Sequence, residues 1–158
     1  MTVSVWRIAP DTPTYVADDL GGIGAKASGG RWNRVGQAVV YSSASIALAC
    51  LETLVHLKSA GLPLNRYLVR IDIPDPVWRA ARVFSAATLP VGWDAMPTGR
   101  ASLDCGGQWL GSNGSALLVV ASAIVPQENN VLINPAHPDA ARITAHKLSQ
   151  WLYDPRLF

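Results

Sequence analysis

Four positions carry side chains whose types suit a common ligand. Arg31 ends a Gly29-Gly30-Arg31 run, and its guanidinium is a planar fork that matches a pyrophosphate. The two glycines remove side chains from a ligand's path and let the backbone come close. Trp32 and Asn33 complete the pentapeptide and are candidates for the same binding site. Tyr41 closes the apolar run Ala38–Tyr41, which places its ring at a sheet edge, able to stack on a flat heterocycle. Glu52 interrupts an almost wholly apolar helix, so its carboxylate lines a cavity or lies on a narrow solvated strip. Ser122 follows the buried run ALLVV and stands where a strand end meets a ligand. Each position also has a plain reading. These are a glycine turn with a surface arginine, a core tyrosine bonded to backbone, a solvated strip, and a serine in a turn.

Other residues narrow the choice. Ser45, Glu52, His56 and Ser59 share one face of that helix by spacing, and His56, four residues after Glu52, is placed to pair with it. The segment GGIGAKAS lacks the Gly-Lys-Ser/Thr of a phosphate loop and reads as flexible loop. No G-x-S-x-G nucleophile elbow is present. His56, His137 and His146 show no metal-ligand spacing with cysteine or acid, and His137, beside two prolines, reads as structural. Cys50 and Cys105 are too sparse for a disulfide framework, and Cys50 reads as a buried free thiol.

These residues must be positioned by a chain of 158 residues, which fits one domain over 1–158 and buries a core without staples. Apolar residues are 49% and charged ones 15%, which excludes a disordered chain. A formal charge of +2 without a basic run argues against direct nucleic-acid binding. No apolar run is long enough to span a membrane and the first residues do not resemble a leader, so the expected location is the cytoplasm.

Strands are expected at Val3–Ile8, Ala38–Tyr41, Arg66–Ile73, Ala116–Val120 and Val131–Ile133. The clearest helix runs over Ile46–Lys58, with capping hydroxyls in Ser42–Ser45. A second helix over Arg100–Leu110 must tolerate Gly106 and Gly107. Asp11–Asn33 reads as loop, Trp78–Pro97 as irregular, and Ala136–His146 as a helical turn or two. Strands mixed with helices make an α+β domain.

The ordered series GGRWN, VVYS, ALACLETLVHL and SAIVPQENNVLINPAHP resembles the RES-domain family of toxin–antitoxin systems. The resemblance extends from Trp6-Arg7 to the C-terminus, strongest in the first third and after Ser122. The Arg, Glu and Ser that name the family match Arg31, Glu52 and Ser122, and the family's strand tyrosine matches Tyr41. Two departures stand out: Ala121 where the family often has proline, and Cys105-Gly106-Gly107-Gln108-Trp109 in place of its Gly-acid-Trp stretch.

The resemblance implies an ADP-ribosyltransferase-like fold, a mixed β core that splits into two small sheets around an NAD cleft, with flanking helices. It implies a toxin that consumes NAD by hydrolysis or phosphorolysis, or that ADP-ribosylates a protein. NAD is then the substrate, and neither cofactor nor metal is called for. The implied partner is a helix-turn-helix antitoxin of the Xre type, and a homodimer is left open. Breaking the nicotinamide–ribose bond develops positive charge on the ribose. Glu52 would stabilise that cation, Arg31 anchor the pyrophosphate, Tyr41 hold the nicotinamide, and Ser122 bond the ribose or the amide. Transferases often carry a second acid two positions before the glutamate; here that position is Cys50, which favours water or phosphate as acceptor. A catalytically inactive domain that only binds a partner is the remaining alternative.

Overall fold

The computed structural model describes residues 1–57 and 61–157. Among the described residues seven strands form one mixed sheet in the order β4-β5-β6-β2-β1-β3-β7. They are β1 (Thr2–Ala9), β2 (Val40–Ser43), β3 (Tyr67–Pro74), β4 (Arg82–Phe84), β5 (Leu117–Ala121), β6 (Asn129–Ile133) and β7 (Thr144–Gln150). Among the described residues four α-helices accompany them: α1 (Ile23–Ser28), α2 (Ile46–Leu54), α3 (Asp75–Arg79) and α4 (Arg100–Ser112). The pairing is antiparallel except for β4 with β5. This is the mixed α+β architecture expected from the sequence.

The sheet is almost two sheets. β1 runs against β3 through eight residue pairs, from Thr2 with Pro74 to Ala9 with Tyr67. β1 meets β2 in register only at Trp6 with Ser43. The half made of β4, β5, β6 and β2 therefore hinges on the half made of β1, β3 and β7 along one seam. Alternation along the strands sorts the side chains by face. Val5, Val40, Val69, Ile71, Val119, Val131 and Ile133 build one core that runs under both halves. On the opposite face the core divides. Trp32, Trp93, Trp109, Leu118, Val120 and Leu132 pack on the first half, with α4 supplying Trp109. Ile8, Ala49, Cys50, Leu68 and Tyr153 pack on the second, with α2 supplying Ala49 and Cys50. The seam on this face lies between two separate apolar clusters, which leaves it for polar groups.

Several elements differ from the sequence reading. β2 starts two residues later than expected and continues through Ser42 and Ser43. Both serines spend their hydroxyls across the ladder, Ser42 donating to the Val131 carbonyl at 2.7 Å and Ser43 to Asn130 Oδ1 at 2.7 Å. Tyr41 consequently sits inside a central strand, and not at a sheet edge. The segment expected to be loop before Asn33 contains α1, whose six residues are too few to show a period. The irregular stretch after Trp78 holds the end of α3 and all of β4, a three-residue strand below the length of any pattern. Ala136–His146 forms a 3-10 turn over Pro138–Arg142, and β7 then begins at Thr144.

Helix α2 ends at Leu54, short of the expected Lys58, which lies outside the described residues together with Ser59. The Thr53 hydroxyl donates to the Cys50 carbonyl at 2.8 Å and so draws off an acceptor of the last turn. His56 N and Leu57 N then close tighter three-residue turns on Thr53 and Leu54. Helix α4 forms despite its glycines, because Gly106 is where the backbone of Trp32 crosses it. A Cβ at Gly106 would stand 1.8 Å from the Trp32 carbonyl oxygen.

Candidate active site

The site is built on β2 and its neighbours. Tyr41 and Ser43 point to the same face of β2, and the register sets Leu132 beside Tyr41 and Asn130 beside Ser43. Ser45 starts α2 immediately afterwards: its backbone is extended and its Oγ accepts from Leu48 N at 3.1 Å, the N-cap expected of a serine here. Two turns along α2, Glu52 reaches back over the sheet. Its Oε1 accepts from Ser122 Oγ at 2.7 Å and from Asn130 Nδ2 at 2.6 Å. No hydrogen bond to Oε2 is present among the described residues. The carboxylate is thus tied by one oxygen to the ends of β5 and β6 and leaves the other for a ligand.

Ser122 lies one residue beyond β5 and is fully buried. Its Oγ accepts from the N–H groups of Ile124 and Val125, both at 3.1 Å, while its proton goes to Glu52. The serine couples the carboxylate to the loop that joins β5 to β6, so in this geometry it stands behind Glu52. The Ala121 that departs from the family pattern is 1% exposed, within the core under α4.

The GGRWN segment has a different job for each residue. Asn33 is 1% exposed, and its Nδ2 donates to the carbonyls of Ala25 at 2.9 Å and Gln37 at 2.9 Å. Its Oδ1 accepts from the Tyr41 hydroxyl at 2.6 Å, which itself accepts from Trp32 N at 3.0 Å. Burial pushes the Tyr41 phenol well above its usual range, against a weaker pull from these bonds and from Arg31, so it stays protonated. Gly30 is needed because a Cβ there would fall 2.7 Å from the Tyr41 hydroxyl oxygen. The space that the glycine leaves is filled by the protein's own tyrosine. Trp32 is 2% exposed and stacks on Trp93 at 6.2 Å between ring centroids, so its ring is core. Neither Trp32 nor Asn33 turns a side chain toward a ligand here; both fix the strand of chain that carries Arg31.

Arg31 itself is only part-buried. Its Nη1 donates to the carbonyls of Trp93 and Ala95, each at 3.0 Å, and Nη2 approaches Met96 Sδ at 3.1 Å. The loop before α4 therefore braces the guanidinium, a partner the sequence did not indicate. If NAD is the substrate, as the family resemblance implies, Arg31→Lys should weaken its binding about tenfold, or ~1.4 kcal/mol, since an ammonium cannot both span two carbonyls and grip a phosphate as a fork does. Titration of NAD against the folded variant checks this; unchanged affinity would leave Arg31 a mere brace for the loop.

The expected His56 pairing is absent. α2 has ended before it, the imidazole is exposed, and no ion pair to Glu52 exists among the described residues. His137 is structural, as expected, with Nδ1 accepting from Asp139 N at 3.1 Å to cap the 3-10 turn. Cys50 is a buried free thiol, pushed up by desolvation against a weaker contact with the Trp151 indole. Asn130 and Ser43 are the site residues that sequence reasoning missed. The one available signal was a polar Asn-Asn pair opening an apolar strand, where asparagine is ordinarily depleted.

A RES-domain family model matches residues 4–155. The chain is 62% identical over 157 residues to a protein of a Sphingobium species named Prs ADP-ribosylating toxin, covering 99% of this chain and 98% of that one. It is 36% identical over 156 residues to a protein of Pseudomonas putida named Toxin Res, covering 98% and 99%. A Yersinia enterocolitica protein, also named Toxin Res, is 35% identical over 144 residues, covering 90% and 93%.

Proposed function

The chain belongs to the RES-domain family of toxins, and from that premise we propose that it breaks the nicotinamide–ribose bond of NAD and transfers the ADP-ribose to a protein. The observation that carries the chemistry is the carboxylate of Glu52, held through Oε1 by Ser122 and Asn130 with Oε2 unengaged among the described residues. A negative oxygen fixed in advance stabilises the ribose cation as it forms, with no reorganisation cost at that moment. Nicotinamide departs as a neutral group. Arg31 holds the pyrophosphate and Tyr41 supports the ring that leaves, while Trp32 and Asn33 contribute by positioning them.

The acceptor is a separate question. Cys50, where a second acid would sit, is buried and its thiol is pushed up, so it activates no incoming hydroxyl or amine. That favours water or phosphate. The name of the Sphingobium relative favours a protein, and the near-complete alignment at 62% identity gives it the greater weight. Prs is therefore the first acceptor to try. An antitoxin of the Xre type, presenting a carboxylate to Arg31 in place of the phosphate, is the restraint this reading calls for.

Purified protein incubated with NAD should release nicotinamide, and labelled ADP-ribose should appear on Prs. Nicotinamide release with label only on water or phosphate would move the reading to hydrolysis or phosphorolysis. NAD left intact at high enzyme concentration, with Prs, phosphate and cell extract each supplied, would end the enzyme reading.

A further inference from the structure

Glu52 does not hold its own pose. A glutamate on the last turns of a helix has three rotatable bonds, and here two donors on other strands select one arrangement. Ser122 is one of them. The second, Asn130 Nδ2 at 2.6 Å, makes the shorter contact, and its orientation is fixed in turn. An ionised carboxylate accepts only, so the amide must present its nitrogen to Glu52. The amide oxygen then faces β2 and needs a donor, which Ser43 Oγ supplies at 2.7 Å. Ser43 is 3% exposed and Asn130 9%, so water is poorly placed to stand in for either. The register of β2 with β6 puts the pair side by side at the seam of the sheet.

We propose that Asn130, oriented by Ser43, is a positioning residue that locks Glu52 with Oε2 turned to the substrate. The proposal rests on the reading of Glu52 as the carboxylate that faces the ribose. The chain of bonds Ser43–Asn130–Glu52–Ser122 then spans β2, β6, α2 and the end of β5. It makes the carboxylate's direction a property of the sheet and not of the helix end. The other titratable groups on the elements around it are Arg7 on β1, Tyr41 on β2, Cys50 on α2, His56 just beyond α2, Tyr153 packed against α2, and Glu128 on the loop between β5 and β6. None bonds to Glu52 among the described residues, and Glu128 instead accepts from Ser45 at 3.4 Å.

The test follows nicotinamide release from NAD by the full chain and its variants, with a melting curve for each. Asn130→Ala should lower kcat about tenfold with KM for NAD nearly unchanged, because the ground-state contacts to NAD are elsewhere. Ser43→Ala should act in the same direction with a smaller effect. Asn130→Asp sets a second carboxylate at hydrogen-bond distance from Glu52, and the two cannot both ionise freely. The acid limb of its rate profile should therefore move up by about one pH unit or more, with activity returning as the pH is raised. A structural role alone would scale the rate equally at every pH. Wild-type kcat in folded Asn130→Ala, alongside an inactive Glu52→Gln, would overturn the proposal and leave the functional reading intact. If Asn130→Ala does not fold, an unshifted acid limb in Asn130→Asp overturns it instead. A fully active Glu52→Gln overturns both.

Discussion

Glu52→Gln should fold normally and lose about two orders of magnitude in NAD turnover, a cost of roughly 2–4 kcal/mol at the transition state. The substitution is unusually clean in this setting. A glutamine carbonyl oxygen in the place of Oε1 still accepts from Ser122 and Asn130, the two bonds that hold Glu52 in place. What changes is the other position. On the proposed chemistry, an amide N–H₂ replaces the carboxylate oxygen that would face the developing ribose cation, so a positive edge meets a positive centre. The charge is lost and the shape is kept. Initial rates of nicotinamide release, set beside a melting curve within a few degrees of wild type, check the expectation. Near-wild-type turnover would leave Glu52 a structural tie between α2 and the ends of β5 and β6 and remove the centre of the mechanism.

Gly106→Ala is expected to be the most damaging single methyl in α4. The added carbon would lie 1.8 Å from the Trp32 carbonyl oxygen and 2.7 Å from its carbonyl carbon, both backbone atoms. Trp32 cannot withdraw easily. Its ring is stacked on Trp93, and its N–H is held by Tyr41. Overpacking commonly costs about 1–3 kcal/mol, and a clash between two backbones belongs at or above the top of that range. For a chain of this size that is a fall in Tm of roughly 6–12 °C. Gly107→Ala is the matched control. Its Cβ would meet only Arg34 Nη1 at 3.6 Å and Gln37 Nε2 at 3.7 Å, ordinary contacts with movable side chains. There the removal of a helical glycine should raise stability by roughly 0.5–1 kcal/mol. Equal effects at the two positions would mean that Trp32 does not cross α4 at Gly106. The consequence reaches the site as well, since Arg31 precedes Trp32 and moves with it.

The two departures of this chain from its family pattern now have physical settings. Ala121 is core, with Ser122 held beyond it by two backbone N–H groups. The Gly106-Gly107 pair is divided between a glycine that the fold requires and one that it merely tolerates.

By itself the sequence determined the family and the architecture class, and it singled out the candidate site residues. Arg31, Tyr41, Glu52 and Ser122 are legible by their joint order: each has a plain reading alone, and the series GGRWN, VVYS, ALACLETLVHL and SAIVPQENNVLINPAHP marks them together. Apolar runs placed most of the central strands, and an apolar run with a capping serine placed α2, because those signals are local. What only the tertiary structure decided is set by pairing at long range. The strand β7, TAHKLSQ, has no apolar alternation and is exposed along nearly its whole length; it is a strand because β3 offers an edge to bond to. Trp32 is core because Trp93, sixty-one residues on, supplies a face to stack against. Asn130 meets Glu52 because the register of β2 with β6 and the placement of α2 over the sheet bring them together across 78 positions. Composition and period report how a segment is exposed to water, and they are silent on which distant segment will complete its hydrogen bonds.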